Sequence, residues 1–361
     1  MGAPDVDAAA RGLRLDKPID LGPAGALVAT ERGVIFRTRA DELAGVPLDA
    51  SGVRKRARSE DKAEPSEGAR ATRGAPPAFT SSSHGYWITR GKLVRKAFDW
   101  DAGGGAEALE VLADDAVDGS RVAASTATGP GRDVAVYIAR ASHGRDDRTA
   151  KLWVEGAAVA PLSSEGSGAS SAAIANIGSR LVAVTLDERS AMSPVHARTI
   201  ELDASGPPRL GADTVVFVGP SPESHNEIAT AVGREGPFAF IPFARDTSSF
   251  GLASLLIGAE PHLDAPVEWT MYPNGIEPAP VDAARFCGRT WVAYVRPSAA
   301  TPDAPSMLVL APLDNRNWGA EITAGQGFDF LRVSLAPRSD GGGWLAWVGN
   351  GRSWVRGIKC S

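Results

Sequence analysis

Apolar residues in this chain gather in short β-prone runs, each introduced a few positions earlier by a glycine. Gly33 precedes Val34-Ile35-Phe36, Gly85 precedes Tyr86-Trp87-Ile88, Gly131 precedes Val134-Ala135-Val136-Tyr137-Ile138, and Gly178 precedes Leu181-Val182-Ala183-Val184. Further on, Gly236 precedes Phe238-Ala239-Phe240-Ile241, Gly288 precedes Trp291-Val292-Ala293-Tyr294-Val295, and Gly343 precedes Trp344-Leu345-Ala346-Trp347-Val348. The glycines lie 52, 46, 47, 58, 52 and 55 positions apart, so one structural unit of about fifty residues is repeated along the chain.

Within a unit the run is preceded by small residues, as in Ala123-Ala124-Ser125, Ala172-Ala173-Ile174, Ile228-Ala229-Thr230-Ala231 and Asp282-Ala283-Ala284. A polar loop and an alternating stretch follow, such as Ala150-Lys151-Leu152-Trp153-Val154 or His196-Ala197-Arg198-Thr199-Ile200, and then a variable fourth stretch such as Thr214-Val215-Val216-Phe217 or Val267-Glu268-Trp269-Thr270. A small inner strand, an apolar second, an alternating third and a variable fourth predict a four-stranded antiparallel blade. The last unit ends soon after Ser353-Trp354-Val355-Arg356-Gly357-Ile358 and lacks a fourth strand, whereas Leu13-Arg14-Leu15-Asp16-Lys17-Pro18-Ile19 has nothing else to pair with. The segment over 11–20 is therefore expected to supply that strand and close a ring of blades.

This order of strands resembles the β-propeller superfamily across nearly the full length, through architecture and not through a family fingerprint. The Trp-Asp pairs, Tyr-Trp-Thr-Asp motif and double glycines of particular propeller families are absent, so no family function carries over. The resemblance implies an all-β single domain over 1–361, with about seven four-stranded blades. Six blades, or two stacked β-sandwiches, are the alternatives. A parallel α/β fold is disfavoured, because no helical period persists for ten or so residues and Gly, Pro and Ser occur throughout. Residues 51–76 depart from the repeat. They hold almost no large apolar residue, and the basic run Arg54-Lys55-Arg56-Ala57-Arg58 is followed by Glu60, Asp61, Glu64 and Glu67, a composition expected of a disordered loop inside the first blade.

Composition narrows the function classes. The net charge of −5 and pI near 5.7 disfavour nucleic acid, and no apolar stretch approaches the eighteen or so residues of a membrane span. Arginine outnumbers lysine 31 to 7, which reads as the codon bias of a GC-rich bacterial genome. No secretory leader is visible. The expectation is an extracytoplasmic protein whose signal lies outside this sequence, with a cytoplasmic one as the alternative.

Signatures of catalysis are missing. There is no Gly-x-Ser-x-Gly elbow, His-Glu-x-x-His helix, phosphate loop or dinucleotide fingerprint. The two cysteines, Cys287 and Cys360, form no Cys-x-x-Cys pair and so no thiolate zinc site. Placed on neighbouring blades, they are offset by two strand spacings, about 9 to 10 Å, so the possible Cys287–Cys360 disulfide, which would clamp the last two blades, needs the C-terminal tail to fold inward. Asp114-Asp115 with Asp118-Gly119 lacks the spacing of a calcium loop. Trp87, Trp291 and Trp344 recur at one blade position and predict packing between blades.

Where the chain enters the inner strands, polar groups distant in sequence are expected to converge on one mouth of an axial channel. His225-Asn226-Glu227, Asp282 and Asp329 are the candidate ligand-binding residues, able to hold calcium or a cationic group unless hydrated or neutralised by Arg285, Arg332 and Arg121. No catalytic residue, resident metal or cofactor is assigned. The expected function is non-enzymatic binding or scaffolding, with a loop-rich face recognising a protein or glycan. The alternative is a carbohydrate-active hydrolase or lyase using Glu227, Asp282 and Asp329.

Overall fold

The small, apolar and alternating stretches form strands in the order their patterning predicts. The computed structural model describes residues 12–38, 42–49, 75–102, 104–105, 108–140, 147–164, 167–177, 180–188, 194–218, 228–232, 236–246, 249–257, 280–296, 304–314 and 317–361. Their strands form seven antiparallel blades, and the chain is an all-β protein of the β-propeller class with seven blades rather than six. Most of the loop expected at 51–76, and the fourth strand expected around Val267 to Thr270, lie outside the described residues.

Two compact units divide the blades. One holds blade six (Val281–Phe286, Arg289–Arg296, Ser306–Asp314, Ile322–Gly327), blade seven (Arg332–Pro337, Gly343–Gly349, Arg352–Cys360) and blade one (Ala26–Thr30, Gly33–Arg37, Leu43–Pro47). The other holds blade two (Ala78–Phe79, His84–Thr89, Lys92–Asp99, Glu110–Ala113), blade three (Ala123–Thr126, Asp133–Arg140, Arg148–Val154), blade four (Ala169–Ile177, Arg180–Asp187, Pro194–Glu201, Thr214–Val218) and blade five (Ala229–Val232, Pro237–Asp246, Ser249–Leu256). Within each unit, the first strands of successive blades are neighbours.

Each core lies between two blades. Val134, Val136 and Leu152 of blade three pack with Ala172, Leu181 and Ala183 of blade four, and Val182, Val184 and Val195 of blade four pack with Ala239, Ile241 and Leu255 of blade five. A second strand is therefore covered on both faces, and Gly343–Gly349 is buried throughout. Trp87, Trp291 and Trp344 are all about fully buried in their second strands, as their recurrence predicts. Two repeat glycines have steric duties. A Cβ on Gly33, whose φ is +149°, would meet the Val46 carbonyl at 2.2 Å, and one on Gly343 would press on the Phe286 ring at 3.0 Å.

The fourth strands share one irregularity. Blades seven, two, four and six each carry a one-residue bulge there, at Leu21, Leu112, Val216 and Ala324. Leu21, Val216 and Ala324 are buried, so the extra residue adds an apolar side chain to the core while bending an open sheet edge.

The N-terminal segment pairs with the last strand of blade seven: Leu13 lies opposite Cys360, Leu15 opposite Ile358, and Ile19 opposite Val355. Ion pairs Lys359 to Asp16 (3.0 Å) and Arg352 to Asp20 (2.6 Å) join the same strands. Burial alone would raise the Asp20 pKa, but hydrogen bonds from Arg352 and the Gly22 amide outweigh it and hold the carboxyl below its ordinary range.

Cys287 and Cys360 form the disulfide that the sequence left open, with a Cα separation of 5.3 Å, shorter than the two-strand offset expected for them. The strand-spacing argument places Cys287 within a strand. It lies instead in the hairpin turn after Val281–Phe286, where both Cys287 and Gly288 have positive φ, and this turn reaches blade seven through the bond from the Cys287 amide to the Gly341 carbonyl (2.8 Å). The tail does not fold inward, because Cys360 stays in register with Leu13. The two cysteines are 73 positions apart, and closing so long a loop in the unfolded chain is worth about 4 kcal/mol. The C287A/C360A variant should therefore unfold at lower urea concentration than the oxidised protein, losing about 2 to 4 kcal/mol, with no such loss when the protein is already reduced.

Candidate functional site

Of the residues expected at a common mouth, His225, Asn226 and Glu227 lie outside the described residues. Asp282 and Asp329 are placed, and they do different things. Asp282, on the first strand of blade six, accepts the Leu335 amide of blade seven's first strand at 2.7 Å, with its other oxygen on its neighbour's amide, Ala283 (2.9 Å). Asp329 is exposed, in the loop that enters blade seven, with a left-handed φ of 51°. Leu335 is mid-strand, so Asp282 is committed away from the loop that carries Asp329. Among the described residues, no three His, Cys, Asp or Glu side chains gather as a metal site would require.

The duty of Asp282 recurs. Ser334 of blade seven accepts the Ala29 amide of blade one (3.0 Å), and Ser171 of blade four accepts the Ile228 amide entering blade five (3.3 Å). In the opposite sense, Thr230 of blade five donates to the Ile174 carbonyl of blade four (2.6 Å), and Asn176 of blade four donates to the Thr126 carbonyl of blade three (2.6 Å). A first strand pairs with its second strand along one edge only. These side chains satisfy the backbone groups of the other edge.

Asp133, at the start of blade three's second strand, is the most heavily hydrogen-bonded carboxylate described, and it is 1% exposed. Its Oδ2 accepts from Ser82 (2.5 Å), Tyr86 (2.7 Å) and Thr80 (3.2 Å) of blade two, and its Oδ1 from Thr126 (2.7 Å). His84 Nδ1 lies 3.1 Å from Oδ2 and 2.9 Å from Ser82 Oγ. Serine, histidine and aspartate are therefore together, but not as a hydrolytic triad. A triad uses opposite ring nitrogens for the serine and the acid, whereas here both contact Nδ1 and the serine is bound directly to the acid. The cluster ties blade two to blade three.

Three buried tyrosines follow a related rule. Tyr86 donates to Asp133, Tyr137 to Asp115 (3.0 Å) and Tyr294 to Glu321 (2.7 Å). Burial, and then the adjacent carboxylate, push all three phenols well above their ordinary range.

Two exposed apolar side chains stand together on one loop. In the loop before blade seven, Phe328 is 50% and Leu331 51% exposed, on either side of Asp329. The loop is nonetheless fixed. Asn350 Oδ1 accepts the Phe328 amide (2.7 Å), the Asn350 amide binds the Phe328 carbonyl (2.9 Å), and the Leu331 amide binds the Val348 carbonyl (3.0 Å). Phe330 packs over Gly349, where an added Cβ would lie 3.1 Å from the ring, and behind it Trp347 stacks on Trp354 at 6.3 Å. Asp329 of this loop is among the residues expected from the sequence, and Phe328 is not. The available signal was Gly327-Phe328-Asp329-Phe330-Leu331, three large apolar residues around one acid where a polar loop belongs.

No protein-family model matches the chain, and no curated protein matches it. Solved structures do. A mutant of AofleA from Arthrobotrys oligospora is 12% identical over 78% of this chain and 83% of its own, with a TM-score of 0.46. The fucose-specific lectin from Aleuria aurantia is 12% identical over 77% and 89%, with a TM-score of 0.44. The PQQ-bound aldose sugar dehydrogenase from Streptomyces coelicolor is 10% identical over 96% and 98%, with a TM-score of 0.40. The likeness is one of architecture.

Two outcomes follow from this arrangement. Asp282→Ala leaves the Leu335 amide without its acceptor and should cost about 1 to 3 kcal/mol in urea unfolding, whereas Arg285→Ala, an exposed neighbour, should cost well under half of that. The tyrosines fix an alkaline limit. Their folded pKa values exceed the unfolded value near 10, so their contribution is whole below that pH and lost as pH rises above it. Stability should fall above about pH 10, with tyrosinate absorbance of Tyr86, Tyr137 and Tyr294 appearing together with unfolding and not before it.

Proposed function

We propose that this protein is a non-enzymatic binding propeller that recognises a glycan through a loop-rich face. The observation that carries the reading is the division of labour among its polar and apolar groups. Asp133 and Asp282 are spent on holding blades together, while an aromatic side chain, an aliphatic one and a carboxylate stand exposed on a loop that the fold keeps rigid. A preformed surface of mixed polarity suits a ligand that has both C–H faces and hydroxyls. The competing reading, a hydrolase or lyase using Glu227, Asp282 and Asp329, needs Asp282 as a free acid or base, and that group already accepts the Leu335 amide. Among the described residues, no helix is long and apolar enough to cross a membrane.

The oxidised full chain, labelled and applied to a glycan array, should bind a restricted set of glycans and leave them chemically intact on prolonged incubation. Cleavage or elimination of a bound glycan, or binding to none across a broad array, would contradict the reading.

A further inference from the structure

We propose that the Phe328–Leu331 loop is the sugar-contacting element and that it selects neutral or amino sugars against acidic ones. This rests on the glycan-binding reading above and adds to it the place of contact and the class of sugar.

Phe328 is the one aromatic among the strongly exposed apolar side chains of the described residues, which otherwise are Leu109, Val111, Val215, Val218 and Leu331. Leu109, Val111, Val215 and Val218 lie on or beside fourth strands, whereas Phe328 and Leu331 share one loop with an exposed carboxylate between them. An exposed aromatic face attracts the C–H face of a pyranose ring, which supplies the apolar area that water leaves unsatisfied. The Asp329 carboxylate, an acceptor with two oxygens, can take two adjacent hydroxyls or an ammonium group. A carboxylate or sulfate on the sugar would meet like charge there, and the net charge of −5 adds to that repulsion.

Rigidity strengthens the case, because a contact loop that is already ordered loses little entropy on binding. Asn350 fixes the Phe328 amide and carbonyl, Val348 holds Leu331, and Phe330 is anchored against Gly349, so the exposed side chains project from a fixed backbone. Asp329 itself is left-handed, a conformation that asparagine also tolerates. Asp329→Asn therefore removes the charge and keeps the loop.

The test uses the oxidised full chain on an array carrying neutral, amino and acidic glycans, followed by calorimetry on the best neutral or amino ligand. Phe328→Ala, with an unchanged unfolding midpoint, should weaken that ligand about tenfold or more. Asp329→Asn should raise acidic glycans toward the neutral ones and weaken amino sugars most. Wild-type binding that is unaltered by Phe328→Ala would overturn the contact site while leaving glycan binding standing. Equal wild-type affinity for acidic and neutral glycans would overturn the selectivity. Binding to no glycan would defeat the underlying reading and this inference together.

Discussion

A propeller blade leaves the outer edge of its first strand without a backbone partner, and that edge lies inside the molecule, where water cannot replace a missing hydrogen bond. In this protein the open edges are served by side chains of the neighbouring blade. Asp282, Ser334 and Ser171 accept amides, and Thr230 and Asn176 donate to carbonyls. Small residues at first strands then have a second reason beyond crowding. Alanine lets two blades approach closely enough for a serine or threonine hydroxyl to reach the adjacent backbone.

The far edges of the blades face the opposite problem, since they are exposed to other chains. Four of them bend through a bulge whose extra residue is apolar, and blade seven is further covered by the N-terminal strand and tied by the disulfide from blade six. Stability therefore comes from the seams between sheets: apolar packing over most of their area, backed by buried carboxylates such as Asp133 where polar groups cannot be avoided.

The architecture was legible in the sequence because its signals are local. Repeat glycines, continuous apolar second strands and alternating third strands each follow from burial on two faces or one, and burial is written in side-chain type. The partner of Leu13 to Ile19 was legible by elimination. The bulges were not, because a one-residue shift at Leu21 or Val216 breaks an alternation too short to read. The disulfide was left open for a related reason: which residues form the turn at Cys287 decides its reach, and strand boundaries are the least legible part of a pattern. At the candidate site, Asp282 was singled out as a ligand-binding acid, and it accepts the Leu335 amide of the next blade. An acid at the start of an inner strand reads the same whether it faces a ligand or the next blade, and only the position of the Leu335 amide separates the two. Phe328 carried a signal of its own, an apolar side chain in a loop, that a search for carboxylates passed over.

The account stands on the side-chain bonds between first strands, and native-state hydrogen exchange reads them one amide at a time. The Ala29, Ile228 and Leu335 amides should exchange as slowly as amides within the strand ladders, and Ser334→Ala should release Ala29 selectively while the ladder amides of blade one keep their protection. Fast exchange at all three sites in the unaltered protein, beside protected ladders, would contradict it.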